Sequence, residues 1–243
     1  MTSNLRRLLF ETLYRNRYLY RFASTVPFGG QWRVWQRQVL SRLHGHDILE
    51  LGCGLGDLLA DMLEMGYNCR AVEHSPQMVA AARDTLRKRQ LGQDATVMQG
   101  SAQGLPFSDA TFDTVVSTFP SEYIYDPDTI SEIARILRPG GRLLVIEGAN
   151  LLPVSFLQTI LVILQMFVYG PSAVFGPRKQ RNLHEEIERG RNAKETKTDI
   201  TVDVLSNAWF GRNIPLEQFD LRRRSERIRS SRWEVYMTIG EKP

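Results

Sequence analysis

The chain has 243 residues, 42% of them hydrophobic and 24% charged, with 31 Lys and Arg against 27 Asp and Glu for a formal net charge of +4. That balance excludes a disordered or fibrous chain and leaves one large domain, or one domain carrying an elaborate insertion. Two cysteines, Cys53 and Cys69, are too few for a disulfide framework and have no Cys/His set at zinc spacing, so no metal site is expected and a reducing, cytoplasmic compartment is.

Residues 1–46 carry Arg6, Arg7, Arg15, Arg17, Arg21, Arg33, Arg37 and Arg42 against the single acid Glu11. Leucines at 5, 8, 9 and 13 have helical spacing, and an aromatic-rich stretch follows, broken at Pro27-Phe28-Gly29-Gly30. The reading is two helices and a turn, with arginines too frequent for a secretory signal. From Asp47 the pattern changes to short apolar runs alternating with helical stretches: DILEL, GDLLADMLEMG, CRAVE, SPQMVAAARDTLRKRQLG, ATVMQG, FDTVVSTF, DPDTISEIARILRPGG and RLLVIEG. Strands alternating with helices predict a parallel α/β sheet with crossover helices. Ser75-Pro76 predicts an N-cap followed by proline at the first helical position, and Pro139-Gly140-Gly141 a helix stop before the next strand.

After the first strand, Glu50-Leu51-Gly52-Cys53-Gly54-Leu55-Gly56 places glycine at every second position, as a sharp strand-to-helix turn beneath a ligand requires. The dinucleotide fingerprint G-x-G-x-x-G fails, because its third glycine falls on Asp57 or Leu59. Four features in order, ELGCGLG, the acid Glu73 closing CRAVE, the loop Gly100 to Phe107, and ILRPGGRLLVIE, resemble the class I S-adenosylmethionine-dependent methyltransferases. The resemblance covers residues 47–148 and extends to 214–243. It implies a Rossmann-like, doubly wound, mostly parallel seven-stranded sheet with a final antiparallel strand, plus an N-terminal helical cap and an apolar helical insertion. The domain division expected is 1–46 cap, 47–148 cofactor-binding core, 149–213 insertion over the acceptor site, and 214–243 the last two strands.

The same resemblance implies S-adenosyl-L-methionine as cofactor. A carboxylate at the end of the second strand can accept hydrogen bonds from both ribose hydroxyls, which assigns Glu73. The resemblance puts Glu50 beneath the glycine loop, near the methionine end, and His74 against adenine. Gly52, Cys53, Gly54 and Gly56 form the loop, Ser101, Ala102 and Gln103 the adenine side, and Ser117 and Thr118 the end of the fourth strand. Ser101 departs from the pattern, since the family usually has an acid there; a hydroxyl accepts from the adenine amino group without charge assistance.

Leu151 to Tyr169 is 19 residues without a charge, a helix of about 28 Å if continuous, with Pro153 in its first turn. Three readings stay open for it: a wall of a greasy acceptor pocket, an interfacial helix dipping into a leaflet, and a dimer seam. Arg178, Lys179 and Arg181 follow it, and Arg222, Arg223, Arg224, Arg227, Arg229 and Arg232 crowd the last strands. These clusters suit an anionic membrane surface or nucleic acid. The function expected is methyl transfer to a hydrophobic small molecule or lipid (a quinone-like or isoprenoid ring, or a lipid head group) by a cytoplasmic protein peripheral to the membrane. An RNA-directed methyltransferase and a non-catalytic scaffold are the alternatives, and oligomerisation is left open. Glu122, Tyr123, Glu147 and His184 are the candidate proton acceptors.

Overall fold

In the computed structural model, residues 30–91, 97–151, 213–231 and 233–243 are described. The first predicted helix, the apolar stretch from 152 onward with Pro153, and His184 lie outside the described residues. The described elements are α1 (Gln31–Gln36) with a 3-10 turn (Arg37–Arg42), β1 (Asp47–Leu51), α2 (Asp57–Glu64), β2 (Asn68–Glu73), α3 (Pro76–Lys88), β3 (Val97–Gln99), β4 (Phe112–Thr118), a 3-10 turn (Glu122–Tyr125), α4 (Pro127–Ile136), β5 (Leu137–Leu151), β6 (Arg222–Ser230) and β7 (Trp233–Glu241). They build a seven-stranded sheet in the order β3-β2-β1-β4-β5-β7-β6. The first five strands pair in parallel, and β7 runs antiparallel to both of its neighbours. This is the doubly wound sheet with a reversed last strand that the sequence predicts.

Alternating side chains on each strand feed two cores, one per face. On one face Trp35 of α1, Leu58, Leu59 and Met62 of α2 and Val79 and Ala82 of α3 pack on strand residues such as Ile48, Val116 and Ile146. On the other, Ile130, Ile133 and Ile136 of α4 meet Leu49, Val115, Leu143 and Val145. Helix starts follow the chemistry of their caps: Ser75 Oγ accepts from the Met78 N–H with Pro76 at the first helical position, as predicted. Asp126 caps α4 by accepting from the Asp128 N–H, again with proline next.

Two boundaries differ from the predicted ones. α4 stops at Ile136, before the Pro139-Gly140-Gly141 punctuation, because Leu137 is already extended and Arg138, preceding proline, is barred from helical backbone. At its far end β5 runs on to Leu151, where Ala149, Asn150 and Leu151 pair with Val235, Glu234 and Trp233. A register shift between Ile146 and Gly148 places a bulge at Glu147.

Candidate active site

The glycine loop joins β1 to α2 through two left-handed residues that a side chain would block. At Gly52 (φ +71°) a Cβ would stand 2.9 Å from the Tyr123 hydroxyl, and at Gly56 (φ +75°) 2.9 Å from the Ala82 backbone of α3. The loop is tied to β2 by Gly52 N–H donating to Val72 O at 2.8 Å, and closes on itself through Gly56 N–H to Cys53 O at 2.9 Å. Tyr123 props it from below: its hydroxyl donates to Leu51 O at 3.1 Å and bonds Ser117 Oγ at 2.7 Å.

A cavity of about 570 Å³ opens at the carboxyl ends of the parallel strands, lined by Gly52 and Gly54 after β1, Glu73 and His74 after β2, Ser101 to Gln103 after β3, and Thr118 to Ser121 with Tyr123 after β4. This is the crevice at which open α/β sheets bind ligands, between strands whose connections leave in opposite directions. Glu73 is only 8% exposed, yet it is on the wall. Its Oε2 accepts from the Gly54 N–H at 3.0 Å and its Oε1 from the Ser75 N–H at 2.9 Å. Each oxygen retains a lone pair, so a carboxylate held in this way can still accept from two hydroxyls. Arg70, its nearest basic neighbour in sequence, sits over the Phe107 ring instead.

The structure divides the sequence-predicted residues into wall and support. Gly52, Gly54, Glu73, His74, Ser101, Ala102, Gln103, Thr118 and Tyr123 line the cavity, whereas Glu50, Cys53, Gly56 and Ser117 stand behind it. Burial pushes the Cys53 thiol well up, so it is neutral and packs as a small hydrophobe. Glu50 is 1% exposed and its Oε2 has no hydrogen-bond partner. Burial raises its carboxyl to about 8, against the pull of Arg33 and with Glu73, Asp61 and Asp57 adding repulsion.

Of the candidate proton acceptors, Glu122 is exposed one residue beyond the wall residue Ser121. Glu147 is away from the cavity, 7% exposed, its carboxylate accepting from Thr238 Oγ1 and its carboxyl raised by burial.

Contacts that the sequence does not announce complete the site. Ser101 donates to Gln103 Oε1, and the Gln103 amide donates to Asp126 Oδ2 at 3.0 Å, so the acid missing at position 101 is present two links away on the α4 cap. Gln36 at the end of α1 donates to Thr118 Oγ1 at 3.1 Å, while Arg33 and Arg37 pair with Asp61 of α2, which Arg89 also reaches. Phe119 lines the cavity in a left-handed conformation and stacks on Trp32. Among the described residues no three His, Cys, Asp or Glu side chains gather as a metal site would, and no helix is long and apolar enough to cross a membrane.

Comparison with known proteins agrees with this architecture. Residues 49–145 match the methyltransferase domain family. The chain is 33% identical over 151 residues to a demethylmenaquinone methyltransferase of Symbiobacterium thermophilum, covering 59% of each protein. It is 31% identical over 135 residues to a ubiquinone/menaquinone biosynthesis C-methyltransferase of Cellvibrio japonicus, covering 53% of this chain and 54% of that one. The match thus spans less than two thirds of the curated relatives' length. Among solved structures, a SAM-dependent methyltransferase of Thermotoga maritima superposes with a TM-score of 0.52 at 19% identity, over 97% of this chain and all of that one (100%). A Methanococcus maripaludis candidate for the same class superposes at 0.55 and 18%, over 94% and 93%. Residues 49–145 thus match a methyltransferase domain, and the order and direction of the strands are those of the class I S-adenosylmethionine-dependent methyltransferase fold.

Proposed function

We infer that the chain transfers a methyl group from S-adenosyl-L-methionine to a hydrophobic, quinone-like acceptor. The observation that carries the cofactor half is the Glu73 carboxylate, fixed on the cavity wall by the Gly54 and Ser75 N–H groups with lone pairs left for a ribose diol. The acceptor half rests on the relatives, which are named as quinone methyltransferases. No observation favours the RNA-directed or scaffold readings.

The cofactor supplies an electrophilic methyl group on a sulfonium, and the chain's own residues do the rest. Glu73 accepts from the ribose hydroxyls. Glu50, buried behind the loop with its Oε2 unpartnered and its carboxyl raised to about 8, would offer negative charge to the cationic methionine end on losing its proton. Gln103, oriented by Asp126, and the Ser101 hydroxyl serve the adenine side. Transfer in line needs alignment above all, a positional contribution that reaches ~7–11 kcal/mol. For an acceptor that must lose a proton, Tyr123 is on the wall but its hydroxyl already donates to Leu51 O, and Glu147 is held by Thr238 away from the cavity, so Glu122, next to the wall residue Ser121, is the base this reading favours.

A greasy acceptor resides in lipid, so an anionic membrane surface belongs to the same reading. Arg222, Arg224, Arg227 and Arg229, on β6, add to the basic charge of residues 1–46. The test is incubation of the purified protein with methyl-labelled S-adenosylmethionine and a panel of demethylated naphthoquinols and benzoquinols. A product heavier by one methyl group is expected. Failure of S-adenosylmethionine to bind overturns the reading, and binding without transfer to any quinol overturns its acceptor half.

A further inference from the structure

Phe119, the first residue beyond β4, holds a left-handed backbone (φ +51°), a conformation uncommon for a bulky side chain. Its N–H donates to Ile146 O at 2.7 Å, which locks the turn, and the residue is on the cavity wall, its partly buried side chain packed against the core. Trp32 of α1 lies against one side of the ring, centroids 4.0 Å apart and planes inclined by 27°. Trp35 meets both rings at 6.1 and 6.4 Å and is itself packed on Trp233 of β7 at 4.6 Å. The ring is therefore braced by α1 and, through Trp35, by β7, while β5 fixes its backbone.

Its position in the sheet says which half of the cavity it serves. Glu73 follows β2 and the Ser101 loop follows β3, so the nucleoside side of the crevice lies over those strands. Phe119 follows β4, on the opposite side of β1, where the non-nucleoside end of the cofactor and the group that receives its methyl must meet. A rigid ring backed by a second ring favours a flat aromatic partner in offset stacking over a saturated ring or a solvated head group.

We propose that Phe119, backed by Trp32, is the platform on which the acceptor's ring stacks, and that it selects planar aromatic acceptors. The proposal rests on the methyltransferase reading above and narrows its acceptor to an aromatic ring. Trp32 is a positioning residue that fixes the Phe119 ring.

The test uses the full chain saturated with S-adenosylhomocysteine, titrated with a tail-less 1,4-naphthoquinone and with a saturated-ring diketone of the same size. The protein should prefer the naphthoquinone by about three- to tenfold. Phe119→Leu, which keeps apolar bulk, should erase that preference while leaving S-adenosylhomocysteine affinity within about twofold, and Phe119→Tyr should retain it. Trp32→Leu should weaken it. In turnover, Phe119→Leu should raise KM for the quinol with kcat little changed. A preference that survives Phe119→Leu overturns the platform, as does a parallel loss of S-adenosylhomocysteine, which would assign the ring to the cofactor. Binding of S-adenosylhomocysteine without any naphthoquinone also overturns the platform, leaving the cofactor assignment intact; binding of neither overturns the methyltransferase reading itself.

Discussion

Replacing Glu50 by glutamine gives a sharp test of the buried charge beneath the loop. Glu50 is 1% exposed, Oε2 has no partner, and burial moves its carboxyl from an ordinary 4.5 to about 8. Because the folded value is the higher one, the stabilising contribution is complete below pH 4.5 and is lost as pH rises toward 8. At pH 7 the folded protein holds a proton that the unfolded chain has released, at a cost on the order of 3 kcal/mol, from 2.5 pH units at about 1.4 kcal/mol each. Glutamine carries no such cost, so the variant should match the wild type near pH 4.5 and exceed it by about 1–3 kcal/mol at pH 7, less whatever its amide loses in the same dry pocket. Urea denaturation of both proteins from pH 4.5 to 8.5 measures this. A difference that stays flat over that range would refute the argument, because it would mean that Glu50 ionises as freely folded as unfolded. The same proton should couple to the cofactor. If the cationic methionine end ionises Glu50, S-adenosylmethionine affinity should climb by up to about tenfold per pH unit below 8 and level off above it. Comparison with Glu50→Gln removes the cofactor's own titration from that slope.

Further outcomes follow from the site and its supports. Glu73→Ala should weaken S-adenosylmethionine binding by ~1.5–3 kcal/mol through loss of charged hydrogen bonds, measured by calorimetry; unchanged affinity would remove Glu73 from the ribose site. Gly56→Ala puts a Cβ at 2.9 Å from the Ala82 backbone in a left-handed conformation, and should lower stability in denaturant titrations by at least about 2 kcal/mol. If basic residues bring the protein to lipid, it should sediment with anionic liposomes and release as salt rises, whereas equal partition to neutral vesicles would leave the arginines without that role.

What is legible in the sequence is local. A strand ending in an acid, a Ser-Pro helix start and a loop with alternate glycines each put their chemistry into a few adjacent residues, so Glu73, Ser75 and the Gly52 to Gly56 turn can be picked out from the order of residues alone. Contacts between distant residues cannot. Nothing in the residues around Gln36 announces Thr118, and nothing around Trp32 announces Phe119, because pairing across more than 80 positions is decided by how α1 lies on the sheet. Asp126 caps α4 in the structure, and only the approach of the loop after β3 gives its second oxygen to Gln103. The early end of α4 follows from the restriction proline places on the residue before it, but the bulge at Glu147 has no signal in the strand pattern.

The insertion of β7 between β5 and β6 has a consequence for synthesis. The neighbour that β5 requires on its outer side is the last strand to be made, and β6, although earlier in the chain, meets the rest of the sheet through β7. From the end of β5 to the end of β7 the ribosome must add about 90 residues, which at ~5–20 residues per second takes on the order of 5–20 s. Throughout that interval the Val145 and Ile146 segment presents an unpaired, apolar strand edge, the kind of surface that recruits other nascent chains. Yield in a heterologous host should therefore depend on translation speed and holdase supply while residues 152–241 are made more than on the stability of the finished fold.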